Sequence, residues 1–156
     1  MSKLDFFGFP LQPKEPSEIL INTGNGNGST FTGVRRFDNI AYSSGAAIYT
    51  LDYSERAAIG TVLLINEDGL YEISIGDLVG GTLDSGVAKN ILASQTTSAF
   101  SAIPAYLKLV SLSGASSGNS TRSRWLERGD KLYYLSNGTS SNADVAYLHV
   151  TQVARL

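Results

Sequence analysis

The residues that invite a chemical reading begin with "GNGNGSTFTGVRRFD", residues 24–38, which sets Gly24, Gly26 and Gly28 ahead of Arg35 and Arg36. A glycine-rich loop backed by cations could cradle phosphate on its backbone N–H groups. The spacing argues otherwise. A dinucleotide-binding loop needs its third Gly after two intervening residues, and a P-loop needs Gly-Lys-Ser/Thr; neither stands here. Both motifs also aim a helix N-terminus at the phosphate, whereas a strand pattern follows this run. Gly and Asn permit positive φ, so the run reads as a hinge. Arg35 and Arg36 are adjacent, which on a strand sends them to opposite faces. They do not make one cationic patch, and a buried salt bridge or a subunit interface is the role open to each.

His149 is the single histidine, in the alternating set of Val145, Tyr147 and Thr151. One imidazole with no second ligand nearby in sequence is poor support for a metal site or a triad. It reads as a packed or interfacial side chain. Tyr147, His149, Arg35 and Arg36 are the candidates for an oligomer interface. The paired acids Glu67/Asp68 and Glu127/Asp130 fall at turns, where acids and Gly are ordinary turn chemistry. "RGD", Arg128-Gly129-Asp130, coincides with one of those turns and takes the structural reading over an adhesive one. The sequons at Asn27, Asn119 and Asn137 come cheaply in a chain rich in Asn, Ser and Thr, and matter only in a eukaryotic secretory pathway. There is no cysteine, hence no thiolate nucleophile and no disulfide. The expectation is a protein that is not an enzyme, with no catalytic, cofactor or metal residues.

The elements that carry these residues are strands. The chain has 156 residues, 42% hydrophobic and only 17% charged, against about 25% charged in an average soluble protein. That shortfall suits turn-rich β proteins. A net charge of −2 opposes nucleic-acid binding, which needs a basic excess, and a polybasic membrane surface. No stretch approaches a membrane span or the apolar core of a signal peptide, so synthesis in a cytoplasm is expected. Residues 1–23, with Pro10, Pro13 and Pro16, read as an extended N-terminal arm whose Phe6, Phe7 and Phe9 need somewhere to dock, on the chain's own domain or on a partner. Residues 24–156 read as one domain. Alternation marks strands in "AIYTLDY", "GTVLLINEDGLYEISIG", "IPAYLKLVSL", "SRWLERGDKLYYL" and "ADVAYLHVTQVARL". The second and fourth look like hairpins, turning at 66–69 and at Gly129-Asp130. "SGVAKNILASQ" has room for one short helical turn. Seven to nine short strands with regular turns indicate an all-β antiparallel sandwich or barrel.

The glycine run leading into Arg-Arg-Phe, then "GTVLLINEDGLYEISIGD", "LERGDKLYY" and the closing "NADVAYLHVTQVARL", resembles a domain common in tailed-bacteriophage structural proteins. That module is similar to the TNF-like jelly roll of complement globular heads and spore-surface trimers. The resemblance implies a two-sheet jelly roll assembling as a homotrimer. The supply of Tyr49, Tyr53, Tyr71, Tyr106, Tyr133, Tyr134, Tyr147 and Trp125 fits an interface as well as a core. A compact domain with a short arm points to a virion protein that decorates the outer capsid surface, with the major capsid protein or another virion protein as partner. The alternative is a receptor-binding head or tail-tip module that recognises host surface glycans.

Overall fold

The computed structural model of the chain describes residues 17–22, 33–37, 39–45, 49–52, 60–78, 82–114, 117–137 and 146–155. Phe6, Phe7, Phe9, the glycines at 24, 26 and 28, the sequon residue Asn27, and Tyr53 lie outside the described residues.

The first strand corrects the arm boundary at residue 23. In β1 (Ser17–Asn22), "SEILIN", Ser17, Ile19 and Ile21 are buried while Glu18, Leu20 and Asn22 stay half-exposed. This period-two pattern makes it an internal strand, paired antiparallel with β3 (Asn39–Ser44) on one flank and β11 (Tyr147–Ala154) on the other. Pro10, Pro13 and Pro16 all precede it, so no ladder position has lost its N–H donor. Arg35 and Arg36 follow the two-residue β2 (Gly33–Val34).

The other strands are β4 (Tyr49–Asp52), β5 (Val62–Ile65), β6 (Gly69–Leu78), β7 (Leu83–Lys89), β8 (Lys108–Gly114), β9 (Ser117–Leu126) and β10 (Lys131–Ser136). Among the described residues they form two antiparallel sheets. One has five strands in the order β3-β1-β11-β6-β9; the other has six, β4-β5-β10-β7-β8 with β2 beside β10. The chain crosses between the sheets rather than filling one and then the other, which is the jelly-roll connectivity. No α-helix occurs among the described residues, and the short turn expected near 85–95 is a 3-10 turn at Ala93–Gln95.

Both expected hairpins prove to be crossings between sheets. β5 pairs with β4 and β10, whereas β6 pairs with β11 and β9. Likewise β9 and β10 belong to different sheets. Turn residues reverse the chain, but they do not decide whether the returning strand lies in the same sheet or across the core. The two reversals instead bond to each other, Gly129 N donating to Ile65 O at 2.8 Å and Ile65 N to Asp130 O at 2.9 Å.

Between the sheets lies the main core, with Ile19, Ile21, Phe37, Tyr71, Ile73 and Tyr134 among its fully buried members. Each such aliphatic side chain contributes about 1.5–3 kcal/mol through removal from water. A second, smaller core sits on the outer side of the six-stranded sheet. There Ile91, Phe100 and Ile103, from the segment 90–107, pack on Val62, Ala88 and Tyr133.

Candidate interaction surface

Arg35 is inside its own protomer. Its side chain is fully buried, and Nη2 donates to both oxygens of Asp77 at 2.8 and 3.0 Å and to Ser136 Oγ at 2.8 Å. Ser85 and Ser136 hydroxyls also donate to Asp77 Oδ2, each at 2.8 Å. Of the two roles open to Arg35, the salt bridge within the chain is the one it has, and no surface of it is left for a second copy. Asp77 sits here because β6 points Tyr71, Ile73, Ile75 and Asp77 into the core in turn. The cluster fixes the segment after β2 to both sheets. Removing one partner would strand the other charge in a dry interior, which costs about 3–5 kcal/mol. Tyr134 closes the cluster from the side, donating to Gly76 O at 2.8 Å. Burial first, and the Asp77 carboxylate second, push its hydroxyl well above the ordinary tyrosine range. Arg36, the neighbour of Arg35, is half-buried.

Tyr147 and His149 lie together on the outer face of the five-stranded sheet. The register lines up Leu20, His149, Ser74 and Thr121 as one row across four strands, with Tyr42 beside Leu20. A second row holds Asn39, Asn22, Tyr147, Gly76 and Asn119. A third holds Ser44, Glu18, Thr151, Glu72 and Ser123. Among these described positions there is no Lys or Arg. His149 Nε2 lies 2.7 Å from Glu18 Oε2, and Thr151 Oγ1 lies 3.4 Å from the same imidazole nitrogen. The pair is partly open, His149 at 34% and Glu18 at 18% of side-chain exposure. Tyr147 lies over Gly76: a Cβ there would collide with the ring. The glycine is thus the seat that lets the aromatic ring lie close against the sheet. Tyr42, Trp125 and Val153 add exposed apolar surface at 51, 43 and 51%.

The opposite outer face is not available. Segment 90–107 runs across it in three 3-10 turns and covers it with Ile91, Phe100 and Ile103. Its exposed large apolar side chains are Leu92 and Tyr106. Of the aromatic residues counted as interface material, Tyr71, Tyr133 and Tyr134 are core.

The Arg-Gly-Asp turn is engaged internally. Asp130 is buried and accepts from Lys89 Nζ at 2.8 Å, Asn90 Nδ2 at 2.7 Å and Glu127 N at 3.1 Å. Burial opposes its ionisation, but Lys89, the Glu127 amide and Asn90 outweigh it and hold the carboxyl below the usual range. An acid tied down in this way is not presented to a receptor. Beside it, Asn66, Glu67, Asp68, Arg128 and Arg155 line an open cleft of about 330 Å³. Tyr71 donates to Glu67 O at 2.8 Å; burial, then the Glu67 charge, raise its hydroxyl from 10.0 to about 12.

No cluster of three or more His, Cys, Asp or Glu fit to hold a metal occurs among the described residues. No helix among them is long and apolar enough to cross a membrane. The glycine run that posed the phosphate question lies outside the described residues. The Glu18–His149 pair was missed in sequence because its members stand 131 residues apart; only the neighbouring strands β1 and β11 bring them together.

No protein-family model matches the chain, and no curated protein does. Solved structures do. Murine APRIL, crystallised at pH 8.0, superposes with a TM-score of 0.58 at 10% identity, covering 89% of this chain and 100% of that one. A second murine APRIL structure, at pH 8.5, gives 0.56 at 12% identity over 89% and 100%. Bushbaby GITRL gives 0.53 at 13% identity, covering 91% of this chain and 97% of the other. At such identities the likeness speaks for the fold, and with the two-sheet topology it shows that this chain is a TNF-like jelly roll.

Proposed function

We propose that the protein is a virion structural protein of a tailed bacteriophage, a homotrimer that decorates the outer surface of the capsid and does no catalysis. The observation that carries the self-association is the uncovered face of the five-stranded sheet. It sets Tyr42, Tyr147 and Trp125 among small polar residues and one His–Glu pair, and holds no Lys or Arg among its described positions. Aromatic enrichment with few charges is the composition of buried interface cores. The assignment to phage heads rests on the sequence resemblance and on the arm. Phe6, Phe7 and Phe9 are the residues proposed to grip the major capsid protein or another virion protein. Nucleic acid and membrane are not among the proposed partners. Synthesis would occur in the cytoplasm of the host bacterium.

The arm's role is tested by deletion. Deleting residues 1–23 would remove β1, an internal strand, and unfold the domain. Deleting residues 1–16 leaves the sheet intact. That shorter deletion is expected to give a folded trimer that no longer binds capsids lacking the protein. Full capsid binding by the truncated trimer would refute the arm's role.

One observation favours a second reading, host-glycan recognition. Tyr147 lies close over Gly76, with Asn22, Asn39 and Asn119 on neighbouring strands of the same row. An aromatic ring flanked by amides suits a sugar ring. Binding of purified protein to host surface polysaccharide, lost on Tyr147→Ala with the trimer intact, would promote it over the first.

A further inference from the structure

The cleft beside the Arg-Gly-Asp turn lies where the arm joins the domain. Ser17, the first residue of β1, stands opposite Gln152 of β11 in the ladder. The Gln152 side chain reaches two residues of the cleft. Its Nε2 donates to Asp68 O at 3.3 Å, and its Oε1 accepts from Arg155 Nε at 2.9 Å. The chain therefore enters the sandwich from residue 16 at the end that holds the cleft. The two reversals that form this end are fixed to each other. Gly129 N donates to Ile65 O at 2.8 Å and Arg128 N to Asp68 Oδ1 at 2.7 Å. A surface held in this way meets a partner with little ordering cost.

Its charges are unevenly satisfied. Glu67 is paired with Arg155 at 3.2 Å. The Arg128 guanidinium, by contrast, is exposed and makes no hydrogen bond or ion pair with any described residue. Asp68, also exposed, uses one carboxylate oxygen on the Arg128 amide. Two acids and two arginines leave the cleft without net charge. A polyanion would be repelled by Glu67 and Asp68, and a polycation by the arginines. A segment that carries both signs fits. We propose that this end of the sandwich faces the virion protein gripped by the arm, and that the cleft receives a mixed-charge segment of it. A carboxylate of that segment pairs with Arg128, and an N–H or ammonium group beside it donates to Asp68. This inference rests on the capsid-decoration reading and adds a second contact to the arm's. Because the cleft stands at the root of the arm, the second contact forms at the effective concentration set by the first, so a single exposed ion pair counts.

The test is binding of the full chain to capsids lacking the protein. Sedimentation velocity and circular dichroism confirm that each variant keeps the wild-type assembly and fold. Arg128→Glu keeps the backbone N–H that bonds Asp68, and is expected to weaken binding at least about ten-fold in about 0.05 M salt. The difference is expected to shrink to within about three-fold in about 0.5 M salt, where exposed charges are screened. Asp68→Asn keeps an acceptor for the Arg128 amide and is expected to lose about three-fold. Wild-type binding by Arg128→Glu, or a loss that salt leaves unchanged, would overturn the inference; deletion of residues 1–16 would still report on the arm by itself. Loss of binding to an acidic host polysaccharide, with capsid binding intact, would also overturn it and give the cleft to a glycan. A wild type that does not bind such capsids would overturn the capsid reading, and this inference with it.

Discussion

The two outer faces of the sandwich solve the same problem differently. Each sheet has one side on the core and one side out, and each outer side holds a glycine beneath an aromatic ring. On the six-stranded sheet Gly86 seats Phe100, and segment 90–107 then buries that ring to 3% exposure. On the five-stranded sheet Gly76 seats Tyr147, and nothing among the described residues is laid over it. One face is thus finished by the chain itself, with a small apolar core of its own. The other keeps aromatic side chains half in water, beside Ser, Thr and Asn. The lesson is that the covered face serves stability, while the bare face is the one proposed to serve association.

The comparison is broken most severely by attacking the covered side. Phe100→Ala removes a buried ring whose pocket is formed by rigid strands, and is expected to cost about 3–5 kcal/mol in urea unfolding. A loss below about 1 kcal/mol would mean that segment 90–107 is a loose flap and not a second core. Asp77→Ala leaves the Arg35 guanidinium buried without its counter-charge, and a loss of about 3–5 kcal/mol is expected in the same assay. Little change there would remove the ion pair from any account of what joins the sheets. Tyr147→Ala sharpens the contrast from the bare side. Measured at dilution, where only single chains are present, it is expected to cost about 1 kcal/mol or less. Its larger effect is expected in the association constant, in line with the proposed interface.

The pH dependence is smaller and has two limbs. Asp130 has a folded pKa below its unfolded value of 3.8, so its contribution is present above that value and is lost as the pH falls through the folded pKa. Melting temperatures of the Asp130→Asn variant are therefore expected to fall less than those of the wild type on acidification below about pH 4. Tyr71 has a folded value raised from 10.0 to about 12. Below pH 10 both states are protonated, and above it the unfolded chain ionises first, so stability is lost as the pH rises from 10 towards 12. Tyr71→Phe should flatten that alkaline limb in a melting series, and an unaltered limb would assign it elsewhere.

Much of the fold was legible because alternation is a local property. "LYEISIG" shows its buried face at a glance, and β6 and β11 lie where period two puts them. β1 escaped notice because only six residues carry its pattern, directly after three prolines. The sheet crossings at 66–68 and 127–130 escaped because the residues of a reversal do not encode which sheet the next strand joins. Segment 90–107 escaped for another reason: its buried residues Ile91, Phe100 and Ile103 follow neither period, being set by successive 3-10 turns. Of the site, Tyr147 and His149 were readable as neighbours on one face, since two residues apart on a strand is enough. Arg35 could be narrowed to a salt bridge or an interface, and only the contact with Asp77, 42 residues away, decides between them.

The single histidine offers the most direct test that the bare face is buried by other copies of the chain. His149 is at the centre of that face and is 34% exposed in one protomer. Its rate of carbethoxylation, read by mass spectrometry, can be followed across a protein dilution series. The expected result is protection at concentrations where the protein sediments as three chains, and release of that protection as it dissociates on dilution. A rate that is the same at every concentration, while the assembly forms and dissociates, would contradict burial of this face.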